Sequence, residues 1–377
     1  MKKFDYCFVY FNGRKVKLYD KKQRPDEFYY GYQYLRSKGY IVKILEFGNN
    51  EPSNYFQWRF LKIIQYIILK LFKFQYDFAG IIKPNNWKIL KNSKNIILTN
   101  NRIAHSILPF LIYSKFTKIK PKFTVLAMGM FNSTSNKKYI LKVHHFLHNL
   151  MIRNVDRLVF IGEPEYNFAI KKYPEFKNKI QFIPFGIDTE FWKKQKNNYE
   201  KNGYVLFIGN DSKRDFDFLK ILINKFENIE FVVVTENINF QNIGNSNVTV
   251  IKGSWNKDLI DDTYLRNLYT NAKMTIVPLE ETLQPSGQSV ALQSMSTETP
   301  VIITKTQGFW KDDDFEHLKN IYFVNNNTLK EWGDAINFVF ENEELVNKIT
   351  KNAKKLVSSN YSSKSFNNKL FNLDKLD

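Results

Sequence analysis

Short apolar runs alternate with helical patterns along the whole chain, and they form two series. The first series has the runs 5–11, 40–47, 95–100, 122–130 and 157–162, and the second has 204–209, 231–235, 247–252, 272–279, 300–304 and 320–324. Each run has the length of a buried strand. One intervening helix is predicted over Arg24–Lys38, where Pro25 favours a helix start and Gly39 favours its end. Strand, helix and strand at this spacing predict parallel sheets with crossover helices.

This alternation predicts an α/β chain with two doubly wound domains, which suits a length of 377 residues. The junction is expected within 182–188, because Pro184 and Gly186 interrupt the pattern and the charge balance changes there. We therefore expect one Rossmann-like domain over 1–184 and another over 185–377, with a last helix that could pack back on the first domain.

The positive charge of the chain is concentrated in its first half. Met1–Phe185 contains 33 Lys and Arg against 11 Asp and Glu, whereas the remainder contains 23 against 26. A general bias toward lysine does not explain this imbalance. It indicates a polyanionic partner for the first half: nucleic acid, an anionic membrane surface or phosphorylated substrates.

One apolar helix, predicted over 60–74, comes nearest to a membrane span. Three lysines and a glutamine interrupt it, and it falls short of the ~20 apolar residues that cross a bilayer. With Trp58 and Arg59 at its start, it is expected either to lie in the membrane interface or to pack on a sheet with its lysine heads in solvent.

Cysteine usage and the start of the chain favour a cytoplasmic location. Cys7 is the single cysteine, so no intrachain disulfide can form, and its apolar surroundings predict a small core residue. The first residues lead directly into a short apolar run without the pattern of a signal peptide.

Two loops of the second domain carry the candidate ligand-binding chemistry. A predicted strand ends at Gly209 and Asn210, and the basic pair Lys213 and Arg214 follows before a helix. Arg214 can bind phosphate through two hydrogen bonds, and Lys213 adds a second positive charge. The turn 285–289 precedes another helix, where free backbone N–H groups favour an anion. Taken singly, these features also fit a solvated loop and an ordinary capped turn, but both should emerge at the same edge of a parallel sheet.

The segments 182–192, 204–219 and 285–310, in this order, resemble glycosyltransferases of the GT-B fold, of the family-4 or group-1 type. The resemblance covers the second domain in its motifs and the first in its organisation. It implies two Rossmann-like domains facing a cleft, with a nucleotide-sugar donor bound by the second and an acceptor by the first. It also implies transfer with retention of configuration and no metal or other cofactor.

By position in the motifs, Arg214 and Lys213 correspond to the residues that contact the donor diphosphate, in the loop that begins at Gly209 and Asn210. The turn that holds the distal phosphate and the sugar corresponds to Ser286, Gly287, Gln288 and Ser289.

The chain departs from the family pattern at several positions. Two glutamates eight positions apart are replaced by Pro285 and Gln293; Gln293 could still bind the ribose hydroxyls, and Glu281 is the favoured nearby carboxylate. In the first domain, the glycine-rich loop is reduced to Gly13, and His105 is the available substitute for a histidine near the reaction centre. The histidines of the predicted helix 139–153 have no acidic partner in the pattern, so zinc is not expected.

The sequence thus predicts a glycosyltransferase that moves a sugar to a glycan or lipid-linked acceptor in cell-surface polysaccharide or glycolipid synthesis. It is expected at the cytoplasmic face of a membrane. The alternatives are a catalytically inactive GT-B scaffold and a basic protein that binds nucleic acid or membrane. No recognisable nucleic-acid module is present, so nucleic acid is not expected as a partner.

Overall fold

A computed structural model of the chain describes residues 3–20, 22–47, 56–74, 77, 84–117, 120–132, 137–194, 203–241, 244–254 and 259–371. The contacts divide the chain into two compact units. The first consists of Met1–Asp20 and Gly31–Ile183, and the second of Lys21–Tyr30 and Pro184–Asp377.

The first unit is built on a six-stranded parallel sheet. Its strands are β1 (Phe4–Phe11), β2 (Val42–Phe47), β3 (Ser93–Leu98), β4 (Lys122–Ala127), β5 (Arg157–Phe160) and β6 (Ile180–Phe182). The strand order is β2-β1-β3-β4-β5-β6, so the direction in which strands are added reverses between β1 and β3. The five predicted strands are confirmed. The short β6 was missed, because only three residues separate its start from the interrupted pattern near Pro184.

Helices cover the sheet of the first unit. They are α1 (Arg14–Tyr19), α2 (Tyr32–Ser37), α3 (Phe56–Phe72), α4 (Pro84–Lys91), α5 (Asn101–Ser106), α6 (Leu108–Lys115), α7 (Lys138–Asn154) and α8 (Glu163–Lys172). A 3₁₀ helix over Pro174–Lys179 follows α8. Within the described parts of the chain, no helix is both long enough and apolar enough to cross a bilayer.

The second unit also has a six-stranded parallel sheet. Its strands are β7 (Val205–Ile208), β8 (Phe231–Val234), β9 (Val248–Ile251), β10 (Met274–Val277), β11 (Val301–Thr304) and β12 (Tyr322–Val324). Their order is β12-β11-β10-β7-β8-β9, which is the strand order of a dinucleotide-binding domain. The order reverses between β7 and β10, where ligands of open α/β sheets bind. All six predicted strands of this half are confirmed.

The helices of the second unit flank this sheet and extend to the end of the described chain. They are α9 (Phe216–Lys225), α10 (Ile238–Gln241), α11 (Asp262–Asn271), α12 (Gln288–Ser296), α13 (Leu329–Glu341), α14 (Glu343–Asn360) and α15 (Ser363–Phe371). Two 3₁₀ helices of this unit cover Glu27–Tyr29 and Asp312–Asp314.

The predicted helix Arg24–Lys38 is wrong. The backbone enters the left-handed region at Tyr30 (φ 49°) and Gly31 (φ 90°), which separates the 3₁₀ turn Glu27–Tyr29 from α2. The physical cause is tertiary: residues up to Tyr30 pack with the second unit, and those from Gly31 onward pack with the first.

The predicted fold class, two doubly wound α/β domains, is confirmed, since both sheets are parallel and carry crossover helices. Cys7 lies fully buried in β1, where burial raises the pKa of its thiol to about 12. It is a core residue, as its apolar surroundings predicted.

Candidate functional site

The loops that follow β7 and β10 meet at the point where the second sheet reverses its strand order. Arg214 and Leu279 form an antiparallel bridge between them. On either side of it, the Asp215 N–H donates to the Pro278 carbonyl (3.1 Å), and the Glu280 N–H donates to the Lys213 carbonyl (2.9 Å). These bonds hold the basic pair at the carboxyl ends of β7 and β10.

Arg214 is buried where these two loops meet, a region that we call the corner, and only 5% of its surface is exposed. Its Nη1 lies 3.2 Å from Asp211 Oδ2, and its Nε donates to the Ile208 carbonyl at 3.4 Å. The side chain also fills the space beside Gly209, where an added Cβ would clash with Nε. The guanidinium is therefore held in one place by its own loop and by the absence of a side chain at Gly209.

The turn before α12 approaches Arg214 closely. Gly287 has φ +77°, and a Cβ there would stand 2.7 Å from Val277 Cγ1 and 3.5 Å from Arg214 Nη1. Beside it, Ser286 is 5% exposed, and its Oγ has no hydrogen-bond partner among the described residues. A buried hydroxyl without a partner is costly unless a ligand or water completes it. The corner thus combines a fixed cation, a close backbone approach and a hydroxyl available for a bond.

The other predicted residues of this loop pair have different surroundings. Lys213 is half-buried, and Ser289 is half-buried in the first turn of α12, which begins at the buried Gln288. The exposed Asn210 uses its side chain to tie neighbouring loops together: its Nδ2 donates to the Gly253 carbonyl at 2.8 Å, and its Oδ1 accepts from Thr235 Oγ1 at 3.1 Å. Asn210 therefore braces the loop with both ends of its amide.

Gln293 lies in a buried hydrogen-bond network within the second unit. Its Oε1 accepts from the Tyr269 hydroxyl, and its Nε2 donates to Glu27 Oε1, both at 3.0 Å. Glu27 also accepts from Trp192 Nε1 (2.8 Å) and from the Asp188 N–H (3.1 Å). The amide oxygen of Gln293 and one of its N–H groups are thus already bonded within the protein.

Sequence reasoning missed Glu27 as part of this region. It is 2% exposed, and burial raises the pKa of its carboxyl to about 8 against the four hydrogen bonds that favour the charged form. Glu27 lies 266 positions from Gln293 along the chain. In the sequence pattern it is an acidic residue in the first turn of a predicted helix, where such residues are common. No local pattern could have joined the two.

Asn327 is a second residue that the sequence did not single out. Its Nδ2 donates to Asp215 Oδ2 at 2.8 Å and to the Leu279 carbonyl at 3.0 Å, and its Oδ1 accepts from Thr304 Oγ1 at 2.7 Å. One amide therefore links the loops after β7 and β10 to the end of β11. Asparagine is abundant in this chain, so its identity alone carried no signal.

The remaining predicted residues lie elsewhere. Glu281 is exposed, and its Oε1 accepts from the N–H groups of Thr282 (3.0 Å) and Gln307 (2.9 Å). Gly13 belongs to the first unit, where it precedes α1 with φ 104°. His105 also belongs to the first unit, in the wall of a cavity of about 340 Å³.

His105 and His148 meet in the wall of this cavity, with ring centroids 5.0 Å apart, and His144 lies 6.2 Å from His148. Across the described parts of the chain, no group of His, Cys, Asp and Glu side chains is arranged to hold a metal ion.

Comparison with known families finds a match within the second unit. The model of the family "Glycosyl transferases group 1" matches residues 188–356, which include both loops of the corner around Arg214. A comparison with curated proteins finds no match for this sequence.

Solved structures resemble the chain over nearly its full length. HepE of Anabaena in complex with UDP and glucose has a TM-score of 0.66 at 11% identity, covering 99% of each chain. Sucrose-phosphate synthase of Thermosynechococcus elongatus has a TM-score of 0.68 at 13% identity, also covering 99% of each chain. A glycosyltransferase of Rickettsia africae has a TM-score of 0.66 at 14% identity, covering 99% of this chain and 98% of the other. At these identities the likeness establishes the fold, which is GT-B.

Proposed function

We propose that this chain, which has the GT-B fold and whose second unit matches the group 1 glycosyltransferase model, transfers a sugar from a nucleoside-diphosphate sugar to a glycan or lipid-linked acceptor. The observation that carries the donor part is the corner where the buried Arg214 meets the turn at Gly287. We propose a uridine nucleotide as the first donor to test, since HepE was solved in complexes with UDP and with UDP-glucose.

The donor diphosphate would bind at this corner. Arg214 would bind its oxygens through its guanidinium, Lys213 would add a second charge, and the N–H groups at the start of α12 would point at the distal phosphate. The unpartnered Ser286 hydroxyl would complete a hydrogen bond there. Because Gly287 has no side chain, the backbone of the turn can approach Arg214 closely.

Departure of the nucleoside diphosphate is the step that these groups would assist. The bond from the anomeric carbon to the phosphate oxygen breaks, and the negative charge that develops on that oxygen is stabilised by donors already in position. Because two cationic side chains and backbone amides supply this stabilisation, we propose transfer without a metal ion. Retention of configuration is proposed from the resemblance to group 1 enzymes.

The first unit would bind the acceptor and associate with an anionic membrane. Helix α3 exposes one row of apolar side chains, Phe60, Ile63, Ile67 and Leu71, next to exposed lysines. A helix with this pattern suits the interface between lipid headgroups and acyl chains. The proposed pathway is the synthesis of a cell-surface polysaccharide or glycolipid on the cytoplasmic face of the membrane.

The decisive experiment is a thermal-shift screen of the full chain against UDP, GDP, ADP and CMP. A ligand that binds only the folded protein stabilises it by about 2.7 kcal/mol at a hundred times its Kd. We expect one nucleoside diphosphate to raise the melting temperature, and the Arg214→Ala variant to lose this rise. The matched control is Lys225→Ala, which removes an exposed positive charge from the helix that follows Arg214.

The outcomes separate clearly. A rise that persists in Arg214→Ala would remove Arg214 from the donor site, and the absence of a rise with every nucleotide would refute the proposed donor class. When a donor has been identified, a transfer assay in excess chelator, with the product anomer read by NMR, tests the metal-free and retaining steps. Loss of turnover that Mg²⁺ restores, or an inverted anomer, would refute the corresponding step.

A further inference from the structure

The cavity of the first unit lies where that sheet reverses its strand order, between β1 and β3. Its wall includes the end of β1, the loop after β3 and the loop after β4, at Phe11, Asn100 and Met128 respectively. Its volume of about 340 Å³ falls within the roughly 300–1,000 Å³ of small-molecule sites. Both its position and its size are those of a ligand site.

Four buried polar atoms in this wall have no hydrogen-bond partner among the described residues. They are Asn101 Oδ1, Arg102 Nε, His105 Nε2 and His148 Nδ1. A buried polar atom that stays unbonded destabilises the folded protein, because it has lost its hydrogen bonds to water. Their concentration in one cavity indicates that a polar ligand completes them.

His105 presents a hydrogen-bond acceptor to this ligand. Its Nδ1 lies 2.6 Å from the Asn101 carbonyl oxygen, so Nδ1 carries the proton that is donated there. Burial lowers the pKa of His105 to about 4, so the ring is neutral and Nε2 carries a lone pair. A lone pair in a buried wall is suited to the hydrogen of a ligand hydroxyl.

The charges around the cavity favour an anion. Lys73 and Arg102 are the charged residues in the described part of the wall, and none of the described wall residues carries a carboxylate. Asp77 interacts electrostatically with Arg102 from outside the wall, and Lys172 acts on His148 from α8. With the Glu165 carboxyl, which accepts hydrogen bonds from two backbone N–H groups of the wall, the surroundings hold three positive side chains and two acidic ones.

Aromatic rings supply the apolar part of the wall. The Arg102 guanidinium lies 5.1 Å from the centroid of the Phe11 ring, and Phe74 packs edge-on against His105 at 4.8 Å. Hydroxyl acceptors, an anion contact and aromatic surface together match a sugar that carries a charged group.

We propose that this cavity binds the acceptor as a hydroxylated anion, a sugar bearing a phosphate or carboxylate, with Arg102 contacting the anionic group and His105 accepting a hydrogen bond from a hydroxyl. Naming the ligand as the acceptor rests on the proposed function. The existence of the site does not, because it stands on the cavity and its four unpartnered atoms.

The test is calorimetric titration of the full chain with glucose 6-phosphate, glucose and inorganic phosphate. Glucose 6-phosphate is expected to bind roughly tenfold more tightly than either of the others, the size of one hydrogen bond to a charged group. Equal affinity for glucose 6-phosphate and glucose would overturn the anion contact. Equal affinity for glucose 6-phosphate and inorganic phosphate would overturn the hydroxyl contact.

Two variants with matched controls assign the contacts. Arg102→Gln should remove the preference for glucose 6-phosphate over glucose, whereas Arg153→Gln, an exposed arginine at the end of α7, should keep it. His105→Gln should weaken both sugars about fivefold, as expected for one neutral hydrogen bond, whereas the exposed His145→Gln should not. Unchanged sugar binding in both cavity variants would refute the site.

Nucleotide binding by the second unit provides the readout that keeps this test separate from the proposed function. Each variant should retain the melting-temperature rise with the donor nucleotide, which also shows that it is folded. Nucleotide binding without sugar-phosphate binding would overturn the cavity proposal alone. Sugar-phosphate binding without any nucleotide effect would overturn the proposed donor reaction and leave the cavity site standing.

Discussion

Gly287 shows how much of the donor corner depends on one missing side chain. The turn passes so close to β10 that a Cβ would stand 2.7 Å from Val277 Cγ1, in a backbone conformation with φ +77°. This approach is what brings the start of α12 next to Arg214. Adding a single methyl group at position 287 should therefore disturb the corner.

We expect Gly287→Ala to destabilise the protein and to weaken nucleotide binding. The left-handed backbone costs an L-residue about 1–2 kcal/mol, and the overpacked Cβ adds about 1–3 kcal/mol. Thermal unfolding with and without the nucleotide measures both effects, and binding should weaken at least roughly tenfold, which corresponds to about 1.4 kcal/mol.

Gly203→Ala is the matched control for this prediction. Gly203 has a similar φ of +72°, but no atom of the described residues lies within 4 Å of the position that a Cβ would take. It carries the backbone strain without the clash, so its nucleotide affinity should stay at the wild-type value. Equal affinities of the two variants would mean that the close approach at Gly287 does not form the nucleotide site.

Among the elements, the segment 24–30 differs most from its local pattern. Arg24 and Asp262, both almost fully buried, form an ion pair at 3.1 Å, and Glu27 bonds to Trp192 and Gln293. These contacts hold the segment within the second unit and end the helical path before Gly31. The residues have helix-compatible identities, and tertiary contacts override them.

The buried Glu27 should make stability depend on pH. Its pKa rises from 4.5 in the unfolded chain to about 8 in the folded protein. Its contribution is fully present below pH 4.5, where both states are protonated, and is lost as the pH rises toward 8, because the unfolded state ionises first. The melting temperature should therefore fall between about pH 5 and pH 8.

Glu27→Gln should flatten this slope, since the variant has no carboxyl to ionise. Asp26, whose pKa is raised to about 6 by burial and by the charge of Asp188, keeps part of the dependence. Melting temperatures across this pH range measure the slope, and each kcal/mol corresponds to roughly 2–4 °C in a domain of this size. The control Glu344→Gln alters an exposed carboxyl and should leave the slope unchanged. An unchanged slope in Glu27→Gln would contradict the assignment.

At the scale of the whole molecule, positive charge is distributed unequally between the two halves of the chain. Residues Met1–Phe185 carry the entire excess of Lys and Arg, and the remainder is slightly acidic. Helix α3 lies in the basic half and exposes its apolar row to solvent. Together they predict that the protein binds anionic membranes through electrostatic attraction and the shallow insertion of apolar side chains.

Co-sedimentation with phospholipid vesicles measures this binding. We expect binding that requires an anionic lipid and weakens from 0.1 M to 1 M salt, because the screening length falls from about 10 Å to about 3 Å. The double variant Ile63→Asp, Ile67→Asp should release the protein, since both side chains lie in the exposed row of α3.

The control Ile221→Asp alters an isoleucine that is 50% exposed in the second unit and should bind vesicles as the wild type does. Binding that is indifferent to lipid charge and salt, or unaffected by the α3 variant, would refute membrane association through this helix.

The sequence by itself determined the two series of parallel strands, the fold class and the pair of loops around Arg214 and Gly287. These features are local, because strand periodicity, a basic pair and a glycine turn can each be identified from a few neighbouring residues. Whether the predicted site residues bind the donor stays a prediction, and the outcome of the Arg214 experiment decides it.

Only the tertiary structure decided which distant residues share a site. It brought Glu27 to Gln293, linked the loops after β7 and β10 to the end of β11 through Asn327, and built the cavity wall of the first unit from the end of β1 and the loops after β3 and β4. Each of these arrangements depends on strand order and on burial. A hydrogen bond between residues 266 positions apart leaves no trace in either local pattern, because it forms only when the sheet has placed both partners in the same interior.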